Sequence, residues 1–270
     1  MIAQAAKASA TASLMGGFAA HTLVGRAFIR GEVARRKYYL RQTGRYCRAG
    51  LKVMGVDVDV VGFDEARFAA ANFLFVGNHM SYLDVLIMAS RLPSVFVTSV
   101  DMGEAPILGD LAELGGSIFV ERRDRSRIDR DLSAMTEALQ EGFNVVIYPE
   151  GTSTDGQRVL PFKKSLLMSA VESGRDIQPF CLRYTEIDGK PFDSDNADRV
   201  CWYGTMDFAP HFFALHGLKS VRAELRFLEP IKVTPQSTRG ELSESCHRAI
   251  DRAYFDGREN LRAPLSSQPA

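Results

Sequence analysis

Residues 72–90, NFLFVGNHMSYLDVLIMAS, constrain the chain more than any other stretch. The run FLFV at 73–76 reads as a short buried strand, Gly77 and Asn78 break it, and residues 82–89 read as a helix. His79 therefore stands where a strand ends and a helix begins, a common place for chemistry in an α/β fold. Asp84 follows five positions later. On one ideal helix, residues so spaced point about 140° apart. The two meet only if His79 stays on the loop while Asp84 rides the first helical turn. The carboxylate then takes the imidazole N–H and leaves the other ring nitrogen free as a base. A structural reading stands beside this one: Ser81 to Asp84 fits a capping box, with Ser81 as N-cap and Asp84 reaching back.

Downstream, strand-like and helix-like segments alternate. Strands are expected at 56–61, 94–100, 117–120, 144–148, 177–184 and 221–228, and helices at 105–114, 126–140, 165–172 and 238–254. Residues 186–200 read as a polar loop and the tail from 262 as disordered. The pattern predicts an α/β fold, a central mostly parallel sheet flanked by helices, over 55–260, with 261–270 as a disordered tail.

The first 54 residues form a separate expectation. Residues 1–56 carry ten Lys or Arg against one acid, Glu32, although the whole chain is neutral. At 38–54, Leu40, Cys47, Leu51 and Met54 form an apolar helical stripe, and Arg41, Arg45, Arg48 and Lys52 form a basic one beside it. Such a helix suits an anionic membrane surface, with the alternative that it simply covers the core. Residues 8–29 are too rich in Ala, Ser, Thr and Gly for a good membrane span, and they lack a leucine-rich core and cleavage site for a secretory signal. The four scattered cysteines carry no C-x-x-C spacing and read as reduced thiols. No metal-ligand cluster and no nucleic-acid motif is read.

Three further stretches look like chemically special strand ends. GSIFV at 116–120 empties into Glu121-Arg122-Arg123, suited to gripping an anion through the arginine fork. The strand at 144–148 runs into Pro149-Glu150-Gly151-Thr152, and IQPF at 177–180 places Pro179 where it limits strand pairing. Ordinary turns and ion-paired loops account for each alone. Together they suggest a site beyond the strand ends.

The set NHMSYLD (78–84), GGSIFVERR (115–123), YPEGT (148–152) and IQPF (177–180) resembles the four blocks of the glycerolipid acyltransferases. The nearest type is 1-acyl-sn-glycerol-3-phosphate acyltransferase. The resemblance implies direct acyl transfer from a thioester, acyl-CoA or acyl carrier protein, to a lysolipid hydroxyl, without an acyl-enzyme and without cofactor or metal. His79 would be the general base and Asp84 its orienting partner. Arg122 would bind the acceptor anion, Glu150, Gly151 and Thr152 would complete the acceptor site, and Pro179 would shape it. The setting implied is the cytoplasmic face of the inner membrane. Where the common family pattern reads Glu-Gly-Thr-Arg-Ser, this chain reads Glu150-Gly151-Thr152-Ser153-Thr154-Asp155-Gly156. Loss of that arginine puts the acceptor in question: lysophosphatidate is the first expectation and lyso-ornithine lipid the near alternative. Rival classes are a thioesterase or lysophospholipase, in which water replaces the acceptor, and a non-catalytic lipid-binding membrane protein.

Overall fold

The computed structural model describes residues 1–121, 125–258 and 261. In chain order the elements are α1 (Ile2–Phe28), α2 (Glu32–Met54), β1 (Val56–Val61), α3 (Glu65–Ala70), β2 (Leu74–Gly77), α4 (Tyr82–Arg91), β3 (Ser94–Ser99), α5 (Val100–Gly103), α6 (Leu108–Leu114), β4 (Ile118–Val120), α7 (Ile128–Gln140), β5 (Asn144–Ile147), α8 (Met168–Ser173), β6 (Ile177–Ile187), β7 (Lys190–Pro191), α9 (Phe208–Leu215), β8 (Val221–Phe227) and α10 (Arg239–Phe255).

The sheet order is β1-β8-β6-β2-β5-β3-β4, with β7 paired to β6. From β6 to β4 every neighbour is parallel, while β8 runs antiparallel to β6 and parallel to β1. β2 sits in the middle of the sheet, and all its residues are buried. That explains its continuous apolar run: a central parallel strand has no solvent face to mark by alternation. The exits of β2, β5, β3 and β4 therefore lie along one edge.

At 177–180 the expectation needs correcting. The block is not a strand end but the start of β6, which pairs Val76 with Pro179 and Gly77 with Phe180. Gly77 is required here by space, because a Cβ on it would lie 2.2 Å from the Phe180 ring.

Three short helices, α3, α5 and α9, went unread in the sequence. α3 is a six-residue turn capped by Asp64, whose side chain accepts from Arg67 N–H at 3.0 Å. α9 carries Pro210, which reads as a breaker but stands in the first turn, where its missing N–H has no helical acceptor to serve. The presumed loop at 186–200 contains a β6–β7 hairpin, turning through Asp188 at φ 52 and Gly189.

α1 and α2 form a helical hairpin, and α2 packs on α4 and β1. Leu40, Cys47, Leu51 and Met54 are buried, so the apolar stripe faces the core, while Arg41, Arg45, Arg48 and Lys52 face outward. Arg48 is tied back to the body, its guanidinium donating to the Ser90 carbonyl at 2.8 Å. No helix among the described residues is long and apolar enough to cross a membrane.

Candidate active site

Both readings of Ser81 to Asp84 hold at once. Ser81 caps α4 and Asp84 completes the capping box. The same Asp84 Oδ2 accepts from Ser81 N–H at 2.8 Å, Met80 N–H at 2.6 Å and His79 Nδ1 at 2.8 Å. Its other oxygen takes the Tyr184 hydroxyl at 2.6 Å. The carboxylate is fully buried, and these four donors satisfy it without water. Because a carboxylate only accepts, Nδ1 carries the ring proton and Nε2 keeps its lone pair. The His79 side chain is 22% exposed, so the free nitrogen belongs to the part of the chain a substrate can meet.

The loop that presents His79 is fixed from two other strands. Asn78 is buried, and its amide both donates to and accepts from the Leu182 backbone at 2.9 Å, extending the β2–β6 pairing past the end of β2. Glu150 Oε1 accepts from His79 N–H and Oε2 from Leu160 N–H, each at 2.7 Å. Thr154 N–H donates to the His79 carbonyl at 3.0 Å. Glu150 of the YPEGT block and Thr154 just beyond it thus hold both backbone groups of His79. Burial pushes the Glu150 carboxyl up to about 8, against the pull of those two backbone N–H groups. From the β5 exit, the Tyr148 ring stacks on the imidazole, centroids 4.3 Å apart, and Phe180 packs edge-on against Tyr148. α10 closes the far side, the Tyr254 hydroxyl donating to the Gly156 carbonyl at 2.7 Å.

The structure thus joins His79, Asp84, Glu150 and Gly151 into one neighbourhood, in line with the convergence expected of these blocks. Glu150 spends both oxygens on backbone N–H groups and acts as a clamp on the His79 loop. Pro179 lies within β6, its carbonyl accepting from Leu228 N–H at 3.0 Å, and the block reaches the site through Phe180 instead. Thr152 is exposed, and Thr154 makes the tie to His79. Ser153, at the departure from the family pattern, donates its hydroxyl to the Trp202 carbonyl, and Trp202 N–H donates to the Met80 carbonyl at 2.8 Å. Arg122 lies outside the described residues.

Sequence reasoning missed Tyr184 and Tyr148. Tyr184 sits on β6, 100 positions from the carboxylate it holds, with no local signal. Tyr148 was legible only as the last residue of an apolar strand.

Residues 58–183 match the sequence model of the Acyltransferase family. Among curated proteins, the chain is 29% identical over 231 residues to the lyso-ornithine lipid O-acyltransferase of Rhizobium meliloti (strain 1021), covering 83% of this chain and 78% of that one. It is 30% identical over 196 residues to the enzyme of the same name from Brucella abortus (strain 2308), covering 69% and 73%. It is 35% identical over 117 residues to the 1-acyl-sn-glycerol-3-phosphate acyltransferase of Neisseria gonorrhoeae, covering 43% and 46%. The fold is shared with the crystal structure of the 1-acyl-sn-glycerophosphate (LPA) acyltransferase PlsC from Thermotoga maritima, at a TM-score of 0.65 and 21% identity over 98% of this chain and 97% of that one. With the His79–Asp84 pair built into that fold and relatives matched over most of their length, the chain belongs to the acyltransferase family.

Proposed function

We propose that the chain transfers a fatty acyl group from an acyl thioester, carried on coenzyme A or acyl carrier protein, to the free hydroxyl of a lysolipid. The observation that carries this reading is the His79–Asp84 pair, a base with its tautomer fixed at a strand exit. His79 Nε2 takes the proton from the acceptor hydroxyl as its oxygen attacks the thioester carbonyl. The tetrahedral intermediate collapses, the carbon–sulfur bond breaks, and the imidazolium returns the proton to the departing thiolate. Asp84 steadies the imidazolium while it exists. Such a sequence needs no covalent enzyme intermediate, and it accounts for the absence of a nucleophile elbow from the sequence.

For the acceptor, lyso-ornithine lipid takes first place. Ser153 replaces the arginine of the common pattern and spends its hydroxyl on the Trp202 carbonyl. The relatives so named also match 69–83% of this chain. Lysophosphatidate is the second reading, favoured by the 35% identity to the Neisseria enzyme across the core blocks. Purified protein, offered each acceptor with labelled acyl-CoA or acyl carrier protein, decides between them. A higher kcat/KM for lyso-ornithine lipid is expected, and a clear preference for lysophosphatidate would reverse the order.

In this reading the α1–α2 hairpin brings the site to lipid. Arg41, Arg45, Arg48 and Lys52 face anionic headgroups on the cytoplasmic side of the inner membrane, the hairpin lying on the surface rather than crossing it.

A further inference from the structure

Asp84 uses its two oxygens unequally. Oδ2 takes three donors, Ser81 N–H, Met80 N–H and His79 Nδ1, none more than five positions away. A capping box at a strand exit supplies these without help from the rest of the fold. Oδ1 takes one donor among the described residues, the Tyr184 hydroxyl at 2.6 Å, from 100 positions away. The local geometry of the catalytic loop does not call for that bond, so it asks for a reason of its own.

β6 delivers the phenol by running past the end of β2. Asn78 prolongs the β2–β6 pairing to Leu182, and Tyr184 follows two residues later, on the face it shares with Leu182 and Phe180. The β6–β8 register shifts between Tyr184 and Glu186, so the strand becomes irregular directly after the residue that meets Asp84. The Tyr184 side chain is fully buried, and its ring is tilted on Phe192 with centroids 6.1 Å apart. Its carbonyl takes the Arg258 guanidinium at 3.0 Å. Burial, and then the adjacent Asp84 charge, hold the phenol well above its ordinary range. It therefore stays protonated and donates to the carboxylate.

We propose that Tyr184 is a positioning residue for acyl transfer: its hydroxyl draws negative charge toward Asp84 Oδ1 and away from Oδ2, and so keeps His79 an unprotonated base on the acid side of neutrality. This rests on the acyl-transfer reading and adds to it a residue that acts through Asp84 without touching substrate. A donor on Oδ1 lowers the pull of the carboxylate on a second imidazole proton. Without the phenol, Oδ2 carries more of the charge, its bond to Nδ1–H strengthens and the imidazolium is favoured. Tyr148 and Glu150 from the β5 exit, Cys201 from the segment before α9 and Tyr254 from α10 also feel the Asp84 charge, and burial raises all four. Glu150, pushed up to about 8, is the first of them to ionise. A comparison on the acid side of that value keeps these neighbours protonated and isolates the Tyr184–Asp84–His79 network.

The test compares full-length Tyr184→Phe with wild type in neutral detergent, with lyso-ornithine lipid or lysophosphatidate as acceptor and acyl-CoA or acyl carrier protein as donor. Phenylalanine keeps the ring against Phe192. The acidic limb of the kcat/KM profile is expected to move up by about 0.5–1 pH unit, a loss of about 3–10-fold on the acid side that closes as pH rises. The loss should lie in kcat, with KM for the lysolipid nearly unchanged. A hydroxyl that only supports the fold would lower the rate by one factor at every pH. Such a uniform loss, a change in KM alone, or no change overturns the proposal. Replacing Tyr184 by 3-fluorotyrosine keeps the hydroxyl, makes it a stronger donor and guards against a phenylalanine variant that fails to fold. The limb should then move down, and an unmoved or raised limb overturns the proposal. The His79 Nδ1–H proton resonance, identified by its loss in His79→Gln and recorded without substrate, reads the network apart from turnover. A resonance at lower field in Tyr184→Phe than in wild type supports the proposal, and an unmoved one refutes it. A wild type that acylates neither lysolipid overturns the acyl-transfer reading, while the resonance still decides whether Tyr184 acts on His79 through Asp84.

Discussion

His79 is held by partners 5, 71 and 75 positions away, from α4 and from the segment after β5. On α2, by contrast, Arg41 and Lys52 have no partner among the described residues, and Arg45 reaches only Gln42 on its own helix. One region is cross-braced through the core, and the other is a local pattern open to solvent. The first gives a fixed imidazole geometry, which proton transfer needs. The second keeps its cations hydrated and free for a fluid, charged surface. A substitution in the braced region should therefore disturb stability and chemistry together, and one on the basic face should disturb neither the core nor the cooperativity of unfolding.

The largest contrast is expected at Asp84. Asp84→Asn keeps the shape but offers one acceptor oxygen to donors that now use two, and it turns an amide N–H toward them. Breaking so buried a cluster costs about 3–5 kcal/mol, and chemical denaturation should show it together with loss of turnover. A variant that unfolds like wild type would mean the bracing is not cooperative. On the other side of the comparison, Arg41→Gln, Arg45→Gln and Lys52→Gln combined should leave the denaturation midpoint in place. Binding to anionic vesicles should weaken by about 1 kcal/mol per charge, most visibly at low salt. Undiminished vesicle binding would remove the basic face from the membrane reading.

A smaller effect sharpens the braced side. Glu150 titrates near 8 in the folded chain because of burial, well above its ordinary value. As pH rises from about 4.5 toward 8, the unfolded chain loses this proton first and the folded chain keeps it. The stabilisation this group provides is complete below the unfolded value and is lost as pH climbs through the folded one. Unfolding free energy should therefore fall over this window more steeply in wild type than in Glu150→Gln. Parallel profiles would show that the clamp on His79 does not titrate there.

The same contrast governs what could be read from the sequence. The strand, the cap at Ser81 and the five-residue spacing from His79 to Asp84 are local and stand in the structure, while the break comes at Asn78 rather than Gly77, which is the last residue of β2 and pairs with Phe180. The α2 stripes are local too, and the buried and exposed faces fall where the helical period puts them. The braces are not local. Nothing near Tyr184 announces that its hydroxyl meets Asp84, and nothing near Asn78 announces its pairing with Leu182, 104 positions on. Glu150 was legible as important but not as a clamp, because a carboxylate that holds backbone N–H groups and one that holds a substrate look alike in sequence. The strand through Pro179 was legible, and β6 runs on to Ile187, but the block was expected to shape the site through Pro179, whereas Phe180 is the residue that packs on Tyr148. α9 was hidden because Pro210 breaks a helix only beyond its first turn.

The most direct test of the account is acyl transfer by purified wild type and His79→Ala, with thiol release and diacylated product measured in the same reaction. The account predicts product in step with thiol release, dependent on the lysolipid, and a loss of about 10²–10⁴-fold in the variant while its fold stays intact. Thiol release that ignores the lysolipid, or near-wild-type transfer by His79→Ala, would contradict it.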